Sequence, residues 1–311
     1  MSRVLNLSSV GEFSDLVPDA STLHRRLALW NRRRLAVRPP DRDWRSELAR
    51  DGCMVRLETA FVESFRNHVA PIVSTAPASS DAFVKWFERL NESGPGQWDP
   101  LFAWLETEAS LPEMKWFLTQ EAAGEAGFDD LVAMTQVKLP VRAKLELARN
   151  YWDEMGRGSL GGMHGPLLDR TIKGLKLKPL IQTTLWPSLA LANTMTAFAT
   201  QRRYAYHSVG ALGVVELTAP GRVAAIAAGL KRLGVAPEQR KYFNLHAHLD
   251  VEHSDAWIAE AIAPLIAESP ECARFIAEGA VMRLLCGEQC FEVYRAHLWA
   301  GAEEAELETA A

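Results

Sequence analysis

The sequence predicts an all-α fold, and three observations carry that prediction. Apolar residues recur at three- and four-residue intervals along most of the chain. There is no series of alternating Val, Ile, Thr and aromatic runs punctuated by Asn-Gly or Asp-Gly turns, as a sheet would require. Gly and Pro cluster between the periodic stretches. Helical spacing runs over Ala60 to Val69, Asp81 to Leu90, Pro112 to Ala123, Val141 to Met155, Pro187 to Tyr206, Gly221 to Leu233, Pro237 to Glu260 and Ala273 to Ala296. The expected breaks are Pro71, the Gly94 to Gly96 GPG, Pro140, the GRGSLGG stretch from Gly156 to Gly162, Pro220, and Pro237 after Gly234.

Composition narrows the function classes. A chain of 311 residues, 48% apolar and 23% charged, can bury a sizeable core unaided. No uninterrupted apolar run approaches the roughly 18 to 20 residues of a membrane helix, so no membrane partner is expected. With 34 basic against 39 acidic residues the net charge is −5, which gives a nucleic-acid surface no electrostatic support. Four cysteines, Cys53, Cys272, Cys286 and Cys290, are too few for a disulfide scaffold, and the start MSRVLNLSSVGEF lacks the apolar core of a secretory signal. A reducing, cytoplasmic location and a small-molecule substrate are expected.

The first hundred residues read differently. Arg25, Arg26, Arg32, Arg33 and Arg34 lie on a stretch whose Leu23, Leu27, Trp30 and Leu35 would pack inward, leaving the arginines solvated. The final AEEAELETAA reads as an acidic, frayed terminus.

The chemistry concentrates in HAHLDVEH. His246, Asp250 and His253 follow at steps of four and three, so a 3.6-residue helix puts them on one face while His248 points roughly the opposite way. Two imidazoles and a carboxylate on one stripe make half of a metal site; they would also suit an exposed polar face. Further donors lie on other segments. Glu154 sits among Tyr151, Trp152 and Met155, His164 follows ten residues later beyond the glycine-rich stretch, and Glu216 is the one charge in GALGVVELTAP. A buried carboxylate in such company needs a partner or a cation. Three carboxylates and three imidazoles drawn from several helices are the donor set of a di-iron or di-manganese carboxylate centre. The chain has no HExxH pair, Gly-x-Ser-x-Gly elbow or phosphate loop.

The spacing of Glu154, His164, Glu216 and His246-x3-Asp250-x2-His253, with the NYWDEMG and GALGVVELTAP stretches, resembles the heme-oxygenase-like di-iron oxidases, a group of iron-containing redox enzymes. The resemblance covers roughly residues 110 to 300. It implies an all-α, heme-oxygenase-like seven-helix bundle at 111–300, with an N-terminal helical extension at 1–110 packed on it and an acidic tail at 301–311. It further implies two Fe(II) ions on those six residues, manganese being possible at one site, with O2 as co-substrate. Family members that oxygenate amine nitrogens have one more carboxylate ligand on an earlier helix. QEAAGEAGFDD supplies Glu125, favoured, and Glu121 for that place; a surface or outer-sphere acid is the other reading.

The expected activity is O2-dependent oxidation of a small amine or amino-acid-like substrate, with N-oxygenation ahead of desaturation or C–C cleavage. An external electron donor and a homodimer are possible partners. Tyr204, Tyr206, His207 and Arg202 or Arg203 are candidates for a substrate pocket, or else ordinary core and surface residues. Two other classes stay open: a metal-free, thiaminase-like activity, which needs a cysteine nucleophile, and a non-catalytic helical protein that stores or senses iron.

Overall fold

A computed structural model describes residues 19–40, 43–124 and 127–309, with the side chains at 248, 250, 251 and 301–309 not described. Among the described residues no strand occurs, and the all-α class predicted from the periodicity is the fold observed. The helices run in chain order: α1 (Ala20–Arg34), α2 (Trp44–Val73), α3 (Ser80–Glu88), α4 (Leu90–Ser93), α5 (Pro100–Thr107), α6 (Leu111–Gly124), α7 (Phe128–Thr135), α8 (Val141–Glu154), α9 (His164–Leu175), α10 (Trp186–Thr200), α11 (Ala205–Arg232), α12 (Pro237–Trp257), α13 (Ala263–Glu268) and α14 (Cys272–Thr309). A π-helical stretch, Ile258–Ile262, joins α12 to α13.

Local chemistry accounts for several boundaries. The Asp19 carboxylate accepts the Thr22 N–H at 2.7 Å and caps α1, and Asp43 caps α2 through Ser46. Pro140 and Ala236 precede α8 and α12 in extended conformation, and Pro237 occupies the first turn of α12, where its missing N–H costs nothing.

Three expected features of the helix map are corrected. The stretch Pro187 to Tyr206 is not one helix: α10 stops at Gln201 (φ −96, ψ 108), and a 3₁₀ turn, Arg202–Tyr204, turns the chain into α11. Pro220 does not break the chain but lies inside α11, so Gly221 to Leu233 is the second half of a 28-residue helix. Pro71 likewise lies inside α2, which runs on to Val73. A proline costs a helix interior about 3 kcal/mol, and at Pro220 packing outweighs it. The α11 backbone lies against that of α14: a Cβ on Gly210 would sit 1.9 Å from the Ile276 carbonyl oxygen, and one on Gly279 2.0 Å from that of His207. Such an approach of two helices is open only to glycine.

The segment Arg202–Arg232 is long and apolar enough to cross a membrane, because the helix continues through Pro220. Half of its most apolar window is buried inside the protein. It carries the buried Glu216 and His207, as a core helix does.

The N-terminal helices share the main core. Leu23, Leu27, Phe61 and Phe65 belong to one apolar cluster with Phe198, Leu212 and Ile276. A second cluster joins Leu101, Phe117, Leu230, Phe243 and Phe291. Arg25, Arg26, Arg32 and Arg33 are exposed, as the solvated-face reading expects, but Arg34 is half-buried and pairs at 2.8 Å with buried Glu58. Leu35 is exposed rather than packed inward, because α1 ends at Arg34. The first part of the acidic tail continues the α14 backbone to Thr309.

Candidate metal centre

Glu154 is the last residue of α8 and His164 the first of α9. The glycine-rich segment between them folds back on itself: Gly156, Arg157 and Gly158 all have positive φ, and a Cβ on Gly156 would lie 2.4 Å from the backbone of Gly162. This hairpin returns the chain so that His164 Nδ1 lies 2.6 Å from Glu154 Oε2. Both side chains are buried.

Glu216 reaches the same point from the middle of α11. Its Oε1 accepts a hydrogen bond from the Asn150 side-chain amide at 2.6 Å, and its Oε2 lies 3.6 Å from His253 Nδ1. Trp257, one turn beyond His253 on α12, locks the two helices in register. Its ring fills the space over Gly213, where a Cβ would lie 2.7 Å from the indole, and its Nε1–H donates to the Val209 carbonyl at 3.1 Å.

Five of the six expected ligands therefore converge, in two groups. Glu154, His164 and His246 offer donor atoms within 4.8 Å of one another, and so do Glu154, Glu216 and His253. Glu154 is common to both. The side chain of Asp250 lies outside the described residues, as do that of His248 and the whole of Glu125.

The imidazoles are prepared to donate lone pairs. His246 Nδ1 lies 2.8 Å from the Tyr242 carbonyl, an acceptor only, so this nitrogen carries the proton and Nε2 is left basic. His253 Nε2 is 3.2 Å from Asp153 Oδ2, which turns its Nδ1 toward Glu216. Burial, and then the neighbouring imidazole of His253, pull His164 down to about 4; burial, and then His164, do the same for His246. Both rings are neutral at neutral pH.

Asn150 and Asp153 were not singled out from the sequence. Asn150 stands one turn before Glu154 on the same face of α8, a spacing that could have marked it; Asp153 gave no signal beyond its position next to Glu154. Burial would raise the Asp153 carboxyl, but hydrogen bonds from Arg157 and His253 outweigh that and hold it below its ordinary value.

The donor set fits iron. His164 Nδ1 is buried with no hydrogen-bond partner, because Glu154 Oε2, although close, is outside hydrogen-bonding geometry. Among the described residues no lysine or arginine pairs with Glu216, which is 2% exposed. Divalent cations bridging mixed oxygen and nitrogen donors would satisfy both.

A cavity of about 180 Å³ adjoins the cluster and includes Glu154, Glu216 and His246 in its walls. Its remaining lining is mostly apolar, with Leu118, Phe128, Leu168, Val223 and Phe243 among it. Glu121 also lines it, but its Oε1 accepts the Tyr294 hydroxyl at 2.9 Å and it belongs to neither ligand group. A second cavity of about 510 Å³, bordered by Asp99, Glu106, Arg222 and Asp255, reaches Glu216 from another side.

The sequence candidates for substrate contact lie elsewhere. Tyr204 donates to Glu63 at 2.8 Å, His207 Nε2 is 2.9 Å from Glu278, Arg203 pairs with Glu63 at 3.1 Å, and Arg202 donates to the carbonyls of Met134, Thr135 and Val137. None of them, nor Tyr206, lines the cavity at the cluster. They brace the turn between α10 and α11, where buried polar groups require partners.

Comparisons with known proteins bear on the fold and the family. No curated protein matches the chain in sequence. Among solved structures, a CADD-like protein of unknown function from Nostoc punctiforme is similar in fold, with a TM-score of 0.54 and 16% identity over 70% of this chain and 98% of the other. Residues 115–288, more than half of the chain and including every proposed ligand from Glu154 to His253, match the family described as iron-containing redox enzymes. The chain belongs to that family.

Proposed function

We propose that the protein is a non-heme di-iron oxidase or oxygenase that uses O2 to oxidise a small amine or amino-acid-like substrate, with oxygenation at nitrogen as the leading outcome. The observation that carries this reading is the sharing of Glu154 between two ligand groups beside an apolar cavity. One iron would be held by Glu154, His164 and His246, the other by Glu154, Glu216 and His253, with Asp250 completing the set. Bound ferrous iron would supply the electrons and the site at which O2 is reduced.

The chain's own groups prepare that chemistry. The Tyr242 carbonyl and Asp153 fix which nitrogens of His246 and His253 are free to ligate, and Asn150 holds Glu216 in place. The apolar wall of the cavity excludes water from the reacting atoms. Insertion of one oxygen atom into a substrate, with the other leaving as water, consumes two electrons and two protons per turnover. An external donor is therefore part of the reading.

The cavity favours an enzyme over an iron store, since storage needs no substrate space beside the metals. The cysteine-dependent alternative lacks its nucleophile: no cysteine lines the cavity, and burial pushes the Cys272 thiol up to about 12 and Cys286 up to about 11. Desaturation or C–C cleavage by the same centre is the second reading, favoured by one observation. The Glu121 carboxylate is held by Tyr294 rather than placed among the ligands.

The test is anaerobic loading with ferrous iron, then rapid mixing with O2 and candidate amines or acids. Two irons per chain and O2 consumption hastened by an amine support the proposal. A chain that binds no iron, or whose O2 uptake no organic substrate changes, contradicts it.

A further inference from the structure

One group in the cavity wall serves no ligand. Glu121, projecting from α6, is joined through Tyr294 to the Ser188 hydroxyl, which lies 2.8 Å from the tyrosine oxygen. Burial raises the Glu121 carboxyl above its ordinary value, opposed by the Tyr294 hydrogen bond and the charges of Arg283 and Arg222. The sequence offers this residue as a possible metal ligand, and its geometry suits another task.

The charge balance of the lining is lopsided. Among the described lining residues, Glu121, Glu154 and Glu216 are acids, and no lysine, arginine, asparagine or glutamine accompanies them. The Thr171 hydroxyl, also in the wall, spends its donor on the Gln239 carbonyl at 2.6 Å. A substrate carboxylate entering this space would lose its water and meet no lysine or arginine in the described lining, since Arg222 and Arg283, whose charges act on Glu121, stand outside it; such a desolvation is costly without a partner. An ammonium group would meet the Glu121 carboxylate, with Phe128, Tyr242 and Phe243 in the same wall as aromatic neighbours.

We propose that Glu121 is the recognition residue for the cationic head of an amine carried on an apolar body, so that the cavity selects alkyl- or arylamines against carboxylic acids. This rests on the di-iron oxidase reading only for the reaction that follows binding, and narrows its substrate class from amine or amino acid to amine. The Tyr294 and Ser188 chain holds the carboxylate in place, and the apolar wall accepts the hydrocarbon.

Hexylamine and hexanoate share a chain and differ in the sign of the head group. Each is titrated calorimetrically into the metal-free protein and into iron-loaded protein under argon, for wild type, Glu121→Gln and Glu121→Leu. Glu121→Gln keeps the side-chain volume and an acceptor for Tyr294, and so guards against a variant that merely misfolds. The expected result is hexylamine binding to metal-free wild type at least about tenfold more tightly than hexanoate, a preference reduced about tenfold or more in both variants. Iron stoichiometry stays at the wild-type level in Glu121→Gln. Equal affinity for the two probes, or unchanged hexylamine affinity in the variants, overturns the proposal. So does loss of iron in Glu121→Gln, which would make Glu121 a ligand. Amine selectivity in a protein that takes up no iron would instead overturn the oxidase reading and leave the recognition role standing, so the two failures are distinguishable.

Discussion

His164 Nδ1 lies 2.6 Å from Glu154 Oε2, and the nine residues that separate them in sequence form a glycine hairpin closed so tightly that no other residue fits at its base. Glu154 also belongs to the donor group of Glu216 and His253. Losing it should therefore do more than losing either histidine. Under anaerobic reconstitution, Glu154→Ala is expected to hold fewer than one iron per chain, while His164→Ala and His253→Ala each retain about one. Metal analysis of the desalted variants checks this; equal retention in all three contradicts the sharing.

The hairpin itself makes a second prediction. Gly156 has φ +61, and a Cβ there would lie 2.4 Å from the Gly162 carbonyl carbon and 2.5 Å from the Met163 nitrogen. Gly156→Ala should cost about 1–3 kcal/mol of stability. It should also weaken iron binding, because the backbone that must yield leads directly into His164. A thermal melt and an iron titration on the same sample read both effects, and a variant that loses neither would show that the hairpin tolerates opening.

Asp153 and Asn150 contact the expected ligands His253 and Glu216 without belonging to either donor group. Asp153→Asn removes the charge that orients His253, and Asn150→Ala removes the donor to Glu216. Each is expected to lower the affinity for one of two irons by roughly 10- to 100-fold, with the fold intact. Competition against a calibrated chelator measures the shift, and unchanged affinity for both irons in Asp153→Asn would remove its orienting role.

Away from the metals, Glu278 is fully buried and shared by His207 (2.9 Å), Arg66 (2.8 Å) and Arg274 (2.8 Å). Burial alone would raise its carboxyl, but these three partners outweigh burial and bring it from 4.5 to about 2. Between those values the unfolded chain takes up a proton that the folded chain does not, so this contribution is complete above pH 4.5 and is lost as pH falls toward 2. It amounts to about 3 kcal/mol. Urea unfolding of wild type and Glu278→Gln should show a stability gap that narrows as pH falls from 5 to 3; a gap independent of pH would contradict the assignment.

The convergence of donor residues was legible in the sequence, and parts of the helix map were not. The three-and-four spacing of His246, Asp250 and His253 marks one helix face without any tertiary information, and the structure does put His246 and His253 in the cluster. The continuity of α11 through Pro220 was not legible locally, because the helix packs on partners far away in the chain, among them α14, more than sixty residues on. Tyr204, His207 and Arg202 looked like pocket residues by composition alone, and their partners on α2, α7 and α14 could not be read locally. The same holds for Glu121, whose partner Tyr294 is 173 residues distant. Glu125 and the Asp250 side chain lie outside the described residues, so their expected roles stand as expectations.

The central claim is a pair of irons bridged through Glu154, and anomalous diffraction at the iron edge from crystals reconstituted without oxygen tests it most directly. The account predicts two peaks, one among Glu154, His164 and His246 and the other among Glu154, Glu216 and His253. A single peak, or peaks that leave Glu154 outside the coordination of either metal, would contradict it.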